Sequence, residues 1–326
     1  MTNISLKGLE IFRLAARHGS VTSVARDSGL SVSTVSHHLR SLETALGLSL
    51  LDHGRRPMGL TPEGAVFLPH VEAALDRLAR GQAELYADKI SQIRSLRLAL
   101  IEDFDSEIAP ELARHLAAAL PDCSFTHLTR PSHEILDLLA RGQIDIGICT
   151  QPLFPVDGPE ERPLLRDPFV LAVPADAAHS AQAYLDGASR LPFLRYASGQ
   201  IIGAHIEAQL RRLRCNLDHR FSFESNQSLF ALIADGGGWA ITTPMNYARA
   251  EPFQARVRLL PFPGRGFART ISIYTTPACN AEVAGVIGTT LHQLIGARAV
   301  APTLATLPWL GTGFRLLDGG GFSPES

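Results

Sequence analysis

Residues 20–43 read SVTSVARDSGLSVSTVSHHLRSLE, two short helical segments about a tight turn. Ser20 can cap the first segment, because its hydroxyl accepts from an opening-turn amide that has no partner within the helix. Val21, Val24 and Ala25 give that segment one apolar face at helical spacing. Gly29 follows where the chain must pass through a left-handed conformation, which glycine adopts without steric cost. Leu30 plugs the turn, Ser31 or Ser33 caps the second segment, and Val35, Leu39 and Leu42 form its inner face. The pattern is that of a helix-turn-helix. Its outer face carries Ser33, Thr34, Ser36, His37, His38, Arg40 and Ser41. Those hydroxyls, imidazoles and guanidinium can bond to phosphates and base edges in a major groove. A helical hairpin with a solvated polar face has the same spacing, so the flanking sequence must discriminate.

The flanks favour DNA. Leu6, Leu9, Phe12, Leu14 and Ala16 lie largely on one stripe, enough for a third helix backing the pair. Gly47 ends the second segment, and two short extended runs flank a turn at residues 54–59. A two-stranded wing fits, with Arg55 and Arg56 at its tip, where they can enter a minor groove or clamp phosphates. Thr61-Pro62 starts a helix that runs to about Ile90. Along it Leu68, Val71, Leu75, Leu78, Gln82 and Leu85 form a seam for a partner helix, although Pro69 should weaken the helix locally. A second subunit is the natural partner, since paired half-sites in DNA suit a dimer.

Charge supports this division. The 326-residue chain, long enough for two or three domains, has a net charge of −2, so no global basic field announces nucleic acid. Residues 1–70 nevertheless carry +2 before five histidines, leaving −4 for the rest. A mildly basic head on an acidic body suits a DNA-binding module joined to a domain that avoids DNA. Cys123, Cys149, Cys215 and Cys279 are widely spaced and form no CxxC, which argues against a disulfide framework. Cys215, in an Arg-rich stretch, is the one candidate redox sensor. No apolar run reaches about 18 residues and no signal-peptide core is present, so the expected location is cytoplasmic and away from membranes.

From Leu96 strands and helices alternate. LRLALI, SFTHLT and IDIGICT are strands separated by helices at 107–120 and near 133–142, an order that implies a parallel sheet. A second unit follows, with strands FVLAVPA, LPFLRY, FSFES and WAITTP, then VRLLPF and ISIYTTP before a final helix at Ala281–Ile295. Two such units suggest hinged lobes with a ligand site between them, outside the carboxyl ends of the strands. The expected division is a winged helix-turn-helix over 1–61, a linker helix over 62–91 and an effector-binding domain over 92–296. Lobe I takes about 92–163 and 267–296, and lobe II about 164–266. Residues 297–326 are expected to be partly disordered, with Trp309 and Phe314 able to dock.

The stretch LEIFRLAARHGSVTSVARDSGLSVSTVSHHLRSLETALGLSLL, followed by GLTPEG, resembles the LysR-type transcriptional regulators. LLARGQIDIGI, FVLAVPADAAHS and IADGGGWAITTP resemble that family's regulatory domain. The resemblance implies an α/β protein with an N-terminal winged helix-turn-helix and a linker helix that pairs subunits. A two-lobed, periplasmic-binding-protein-like domain that senses a small molecule would follow. It also implies double-stranded operator DNA as partner, and a homodimer to homotetramer. The family's DNA-facing positions fall on Val32, Ser33, Ser36, His37 and Arg40. Ser36 matches the usual serine; His37 and His38 stand where Arg and Gln are commoner, Val32 where Gln is frequent, and His53 at a wing position that is usually Arg. On the effector side, Asp103 lies near a position that is often a small hydroxyl residue binding an effector carboxylate, and Ser132 matches a second hydroxyl. Tyr196, Ser198, Asn226, Thr242 and Thr243 fall across the cleft.

An anion facing a buried carboxylate is disfavoured unless a cation intervenes. Asp103 therefore points to a cationic or amine-bearing effector, with Phe104, Tyr196 or Trp239 available for cation–π contact. In the alternative, Asp105 or Ser106 merely caps the helix starting near Glu107. Two other classes compete with a regulator: a hydrolase-like enzyme with an acidic metal site at Glu102–Glu107, and a small-molecule binder without functional DNA contacts. The sequence has no HExxH, GxSxG or P-loop, and no GxGxxG after a strand; Gly236–Gly238 precedes a strand and reads as a turn. No enzyme activity, cofactor or metal is expected.

Overall fold

The computed structural model describes residues 4–317 except 29, 56, 91, 92 and 278. The expected left-handed turn at Gly29 and the wing-tip Arg56 thus lie outside the described residues. The chain forms two compact units, Met1–Lys89 and Ile90–Ser326.

The first unit contains α1 (Leu6–His18), α2 (Val21–Ser28), α3 (Val32–Leu46), β1 (Leu51–Asp52), β2 (Gly59–Leu60) and α4 (Pro62–Ile90). Ser31, rather than Ser33, caps α3 by accepting from the Thr34 amide at 3.1 Å. Gly47 closes α3 with φ 70°, a left-handed value that glycine takes without penalty. Val35, Leu39 and Leu42 are buried against Ile11, Phe12 and Ala15 of α1 and Val24 and Ala25 of α2. Val71 of α4 belongs to this same core, with Leu68 and Leu75 packed against it. The first half of the anticipated inter-subunit seam is thus occupied within its own unit. Leu78 is exposed, and the Gln82 and Leu85 side chains lie outside the described residues.

Two devices hold the wing. Glu43 Oε1 accepts from the amides of Leu50 at 2.8 Å and Leu51 at 3.2 Å, stapling β1 to the end of α3. Thr61 accepts from the Gly64 amide at 3.0 Å and donates to the Ser49 carbonyl at 2.7 Å, tying the start of α4 to the same strand. The approach is so close that a Cβ on Gly64 would lie 2.0 Å from the Leu50 carbonyl oxygen.

The second unit runs β3 (Ser95–Leu100), α5 (Ile108–Ala119), β4 (Ser124–Thr129), α6 (Ser132–Ala140), β5 (Ile146–Thr150), β6 (Glu160–Pro168) and β7 (Val170–Pro174). It continues through α7 (Ala181–Leu185), β8 (Phe193–Tyr196), α8 (Ile201–Arg212), β9 (His219–Phe223), α9 (Asn226–Ala234), β10 (Ala240–Thr242), α10 (Pro244–Ala248) and β11 (Val257–Pro261). It ends with β12 (Ala268–Thr275), α11 (Ala281–Ile295), α12 (Ala301–Thr306) and β13 (Arg315–Leu316). Lobe I is built on a six-stranded sheet of order β13-β6-β12-β5-β3-β4. Only β3, β4 and β5 are parallel; β12 returns from the other lobe and pairs antiparallel with β5 and β6. The expectation of a parallel sheet therefore holds for the βαβαβ stretch alone. In lobe II, β7 pairs antiparallel with β10 and β11, while β8 and β9 are parallel and join β10 through a bridge between Phe193 and Trp239.

β6 is not strand-like in sequence, since EERPLLRDP is charged and carries an internal proline. A register shift opposite Ile271/Ser272 accommodates Pro163, as bulges do. Because β6 continues to Pro168, the chain crosses to lobe II at 168/169 rather than at 163/164. It returns at Phe267, whose carbonyl accepts from the Phe169 amide at 2.9 Å and whose ring stacks on that of Phe169 at 4.2 Å.

The extension expected to be partly disordered is folded from 297 to 317; residues 318–326 lie outside the described residues. A π turn at Gly296–Val300 leads into α12, and β13 pairs with β6, covering what would be an open sheet edge. Phe314 is fully buried, Leu310 nearly so, and Arg298 bonds the Glu111 carboxylate of α5 at 2.9 Å.

Two outcomes follow from this packing. Phe314→Ala should lower the unfolding free energy by about 3–5 kcal/mol in urea titrations, as for other buried aromatics. Glu43→Ala removes the acceptor from two wing amides and should cost about 1–3 kcal/mol, with hydrogen exchange accelerated at residues 50–60.

Candidate DNA-reading face and effector cleft

The N-terminal half of α3 presents Val32, Ser33, His37, Arg40 and Ser41 to solvent, with Thr34, Ser36 and His38 half-buried. Ser31 Oγ lies 2.8 Å from Ser33 Oγ and 2.7 Å from Thr34 Oγ1, so these two hydroxyls also belong to the capping cluster. Arg55 projects from the wing with its side chain 80% exposed, 3.6 Å from Asp52. His53 has a partner within the unit. Its Nε2 lies 3.1 Å from Glu43 Oε2, so it joins the wing staple while about half of its side chain stays exposed.

Within the second unit a cleft of about 340 Å³ opens at the carboxyl ends of β3, β4, β5, β8 and β9. Strand ends and the helix starts that follow them position its walls. Ile101–Asp103 and Thr129–Ser132 contribute from lobe I, and Tyr196, Gln200–Ile202, Glu224–Asn226 and Asn246 from lobe II. Ser132 Oγ accepts from the Thr150 amide at 3.2 Å. Tyr196 OH donates to Asn226 Oδ1 at 2.9 Å, lies 2.7 Å from Thr242 Oγ1 and accepts from Asn246 Nδ2 at 3.0 Å. Burial pushes the Tyr196 phenol well above its ordinary range, so it stays neutral.

Of the eight residues anticipated on the effector side, Asp103, Ser132, Tyr196 and Asn226 line the cleft. Thr242 and Thr243 stand behind it, the first on Tyr196 and the second on Arg269. Phe104 is buried in the core, and exposed Ser198 lies outside the lining. Trp239 is also buried, against Tyr184 and Phe193, which leaves Tyr196 as the only one of the three proposed aromatic partners in the cleft.

The sequence reading missed Arg269. It lines the floor of the cleft while almost wholly buried. Its Nε donates to Asp167 Oδ2 at 2.9 Å and its Nη1 to Thr150 Oγ1 at 3.2 Å. Its Nη2 donates to Asp103 Oδ2, to Thr243 Oγ1 at 3.1 Å and to Asn246 Oδ1 at 3.4 Å. Burial opposes the charge of Arg269, but Asp103 and Asp167 more than offset it and raise its pKa. Burial likewise raises the Asp167 carboxyl, against the pull of Arg269. Asp103 is therefore not the unpaired carboxylate that was expected. The available signal was a lone cation opening the apolar strand ARTISIYT.

Nor does the capping alternative hold, because α5 begins at Ile108 with no side-chain cap and Asp105 accepts from Thr129 Oγ1 at 2.5 Å. Burial raises the Glu102 carboxyl, which lies 3.5 Å from Arg249 Nη1. The acidic run that suggested a metal site is engaged by protein groups. Among the described residues no set of three His, Cys, Asp or Glu could hold a metal, and no helix is long and apolar enough to cross a membrane. Burial raises all four thiols, Cys279 to about 11, and Cys215 Sγ donates to the Leu185 carbonyl at 3.0 Å. That environment does not activate Cys215 as a redox sensor.

Comparison with known proteins accounts for both units. Residues 6–65 match the profile of the bacterial regulatory helix-turn-helix proteins of the lysR family, and residues 91–284 that of the LysR substrate binding domain. The HTH-type transcriptional regulator YfeR of Shigella flexneri, itself uncharacterized, is 28% identical over 246 residues, 73% of this chain and 78% of that protein. A probable hydrogen peroxide-inducible genes activator of Mycobacterium xenopi is 31% identical over 52% of this chain and 89% of its own length. In fold, the chain is similar to Corynebacterium glutamicum OxyR, with a TM-score of 0.55 at 21% identity over 93% of this chain and 96% of that one. With family profiles matched across the winged helix-turn-helix and most of the two-lobed unit, the chain belongs to the LysR family of DNA-binding transcriptional regulators, which are transcription factors rather than enzymes.

Proposed function

We propose that this regulator reads a promoter operator through the exposed start of α3, as a cytoplasmic homodimer or homotetramer, and answers to an amine-bearing effector. The observation that carries the DNA reading is the solvent-facing row Ser33, His37 and Arg40 on a helix whose opposite face is buried. Ser36, half-buried beside them, and Val32 complete the base-facing set, with Thr34 and His38 at its margin. Arg55 serves the phosphates from the wing, and Arg56 is assigned the same role from its place in the sequence. His53 acts indirectly, through Glu43. Subunit pairing uses the part of α4 beyond the winged-helix core, where Leu78 is exposed.

The charge of the cleft supports an amine. Asp103 and Asp167 share the single guanidinium of Arg269, so two carboxyl groups face one protein cation. Glu102 lines the same wall, beside Arg249, as does Arg130. A ligand ammonium would balance the cluster, whereas a ligand carboxylate would add to it. Peroxide sensing, named for the mycobacterial relative, is not part of this reading, because the four thiols are raised by burial and not activated.

Gel-shift titration on the upstream intergenic DNA tests the first half. Arg40→Ala should weaken specific binding by about 1–3 kcal/mol and relax base preference, while Arg55→Ala should lower the salt slope by about one. Unchanged affinity and slope in both variants would remove DNA reading from these positions. For the effector, thermal-shift screening should show stabilisation by small amines or amino compounds. Stabilisation by simple carboxylates alone would overturn the amine reading.

A further inference from the structure

The Arg269 cluster sits where the two lobes meet. Asp167 ends β6 and Arg269 opens β12, and the two residues are direct partners on the paired crossing strands. Asp103 comes from the lobe I loop after β3, and Thr150 from the end of β5. Thr243 and Asn246 come from lobe II, and the Met245 amide of the same segment donates to Asp167 Oδ1 at 3.2 Å. One guanidinium is therefore bonded to both lobes and to the crossing between them.

The two carboxylates are not equivalent. Asp167 is completely buried, lies outside the cleft lining and takes a lobe II amide as well as Arg269. Asp103 lines the cleft and can be reached by a ligand. Removing Asp103 from Arg269 leaves the guanidinium paired with Asp167, so the exchange strands no buried cation.

We infer that Arg269 is an inter-lobe latch that competes with the effector's amine for Asp103. The effector takes the place of Arg269 Nη2 on the Asp103 carboxylate. Arg269 keeps Asp167, and the bonding of its Nη2 to Thr243 and Asn246 of lobe II changes when Asp103 leaves. Ligand occupancy is thereby converted into a change in how the lobes are tied. This rests on the cleft being the effector site and names the group through which that site acts.

The test uses the full-length protein and methylammonium chloride as probe, against sodium chloride at matched ionic strength. Affinity is read from thermal-shift titration and location from hydrogen exchange. Arg269→Lys keeps the charge but shortens and narrows the donor set, freeing Asp103; it should bind methylammonium severalfold more tightly than the wild type. Asp103→Asn keeps the shape and removes the charge. It should bind at least tenfold more weakly and exchange faster at residues 243–248 without the probe. A merely structural Arg269 would give weaker or equal binding on Arg269→Lys, and that result overturns the latch. If Arg269→Lys does not fold, Asp103→Asn decides alone: unchanged binding and unchanged exchange at 243–248 overturn the proposal. Exchange changes confined to peptides away from 129–132 and 224–226 would instead sink the cleft as the amine site.

Discussion

A guanidinium buried between two carboxylates is an expensive arrangement, because each ion surrenders its hydration and only close, well-directed contacts compensate. Arg269 meets that condition by donating to Asp103, Asp167, Thr150, Thr243 and Asn246. Stripping a buried ion of all its compensation typically costs about 3–5 kcal/mol, but Arg269 has two carboxylates and keeps Asp167 when Asp103 leaves. The cluster lies beside the stacked Phe169 and Phe267, where two adjacent strands carry the chain between lobes. Apolar stacking holds the crossing together, and the ionic network fixes how the ends of the lobes face one another across it. The facing of the cleft walls is therefore tied to one guanidinium and its partners on both lobes.

The periodic parts of the fold were legible in the sequence. The helix-turn-helix spacing, a serine cap for α3, the Thr61 cap and the strands of the βαβαβ stretch all follow from local chemistry, while the choice of Ser31 over Ser33 came from the structure. What escaped was set by long-range pairing. Pro163 and the charges around it conceal β6, which exists because β12 offers a partner along its length and a register shift accommodates the proline. The tail looked disordered by composition, yet Phe314 finds a closed site and Arg315–Leu316 find an unpaired edge. Neither partner is visible from the tail itself.

The candidate sites show the same division. Four of the anticipated effector residues reach the cleft because strand ends and helix starts place them there whatever the side chains do. What the reading of Asp103 missed is its protein partner. Its charge partner lies 166 residues away and is itself shared with Asp167, so local reading left a carboxylate without its cation. His53 also has a partner that local reading did not supply, Glu43, ten residues earlier on the preceding helix. In both cases a polar side chain placed by local pattern has a partner that local pattern does not show.

These intramolecular pairs bear directly on regulation. A ligand shifts a two-state equilibrium only by the difference in its affinity for the two states, commonly about 1–3 kcal/mol of coupling. An effector that simply filled the cleft, touching each lobe equally in every closure, would produce no such difference. A group that must displace a protein cation from Asp103 cannot be indifferent. Its binding is weaker wherever Arg269 holds that carboxylate and stronger wherever the lobes have let it go. On the proposed reading, the two carboxyl groups around one guanidinium favour a cationic ligand group, and the placement of Arg269 on the crossing strands would give that exchange a mechanical consequence.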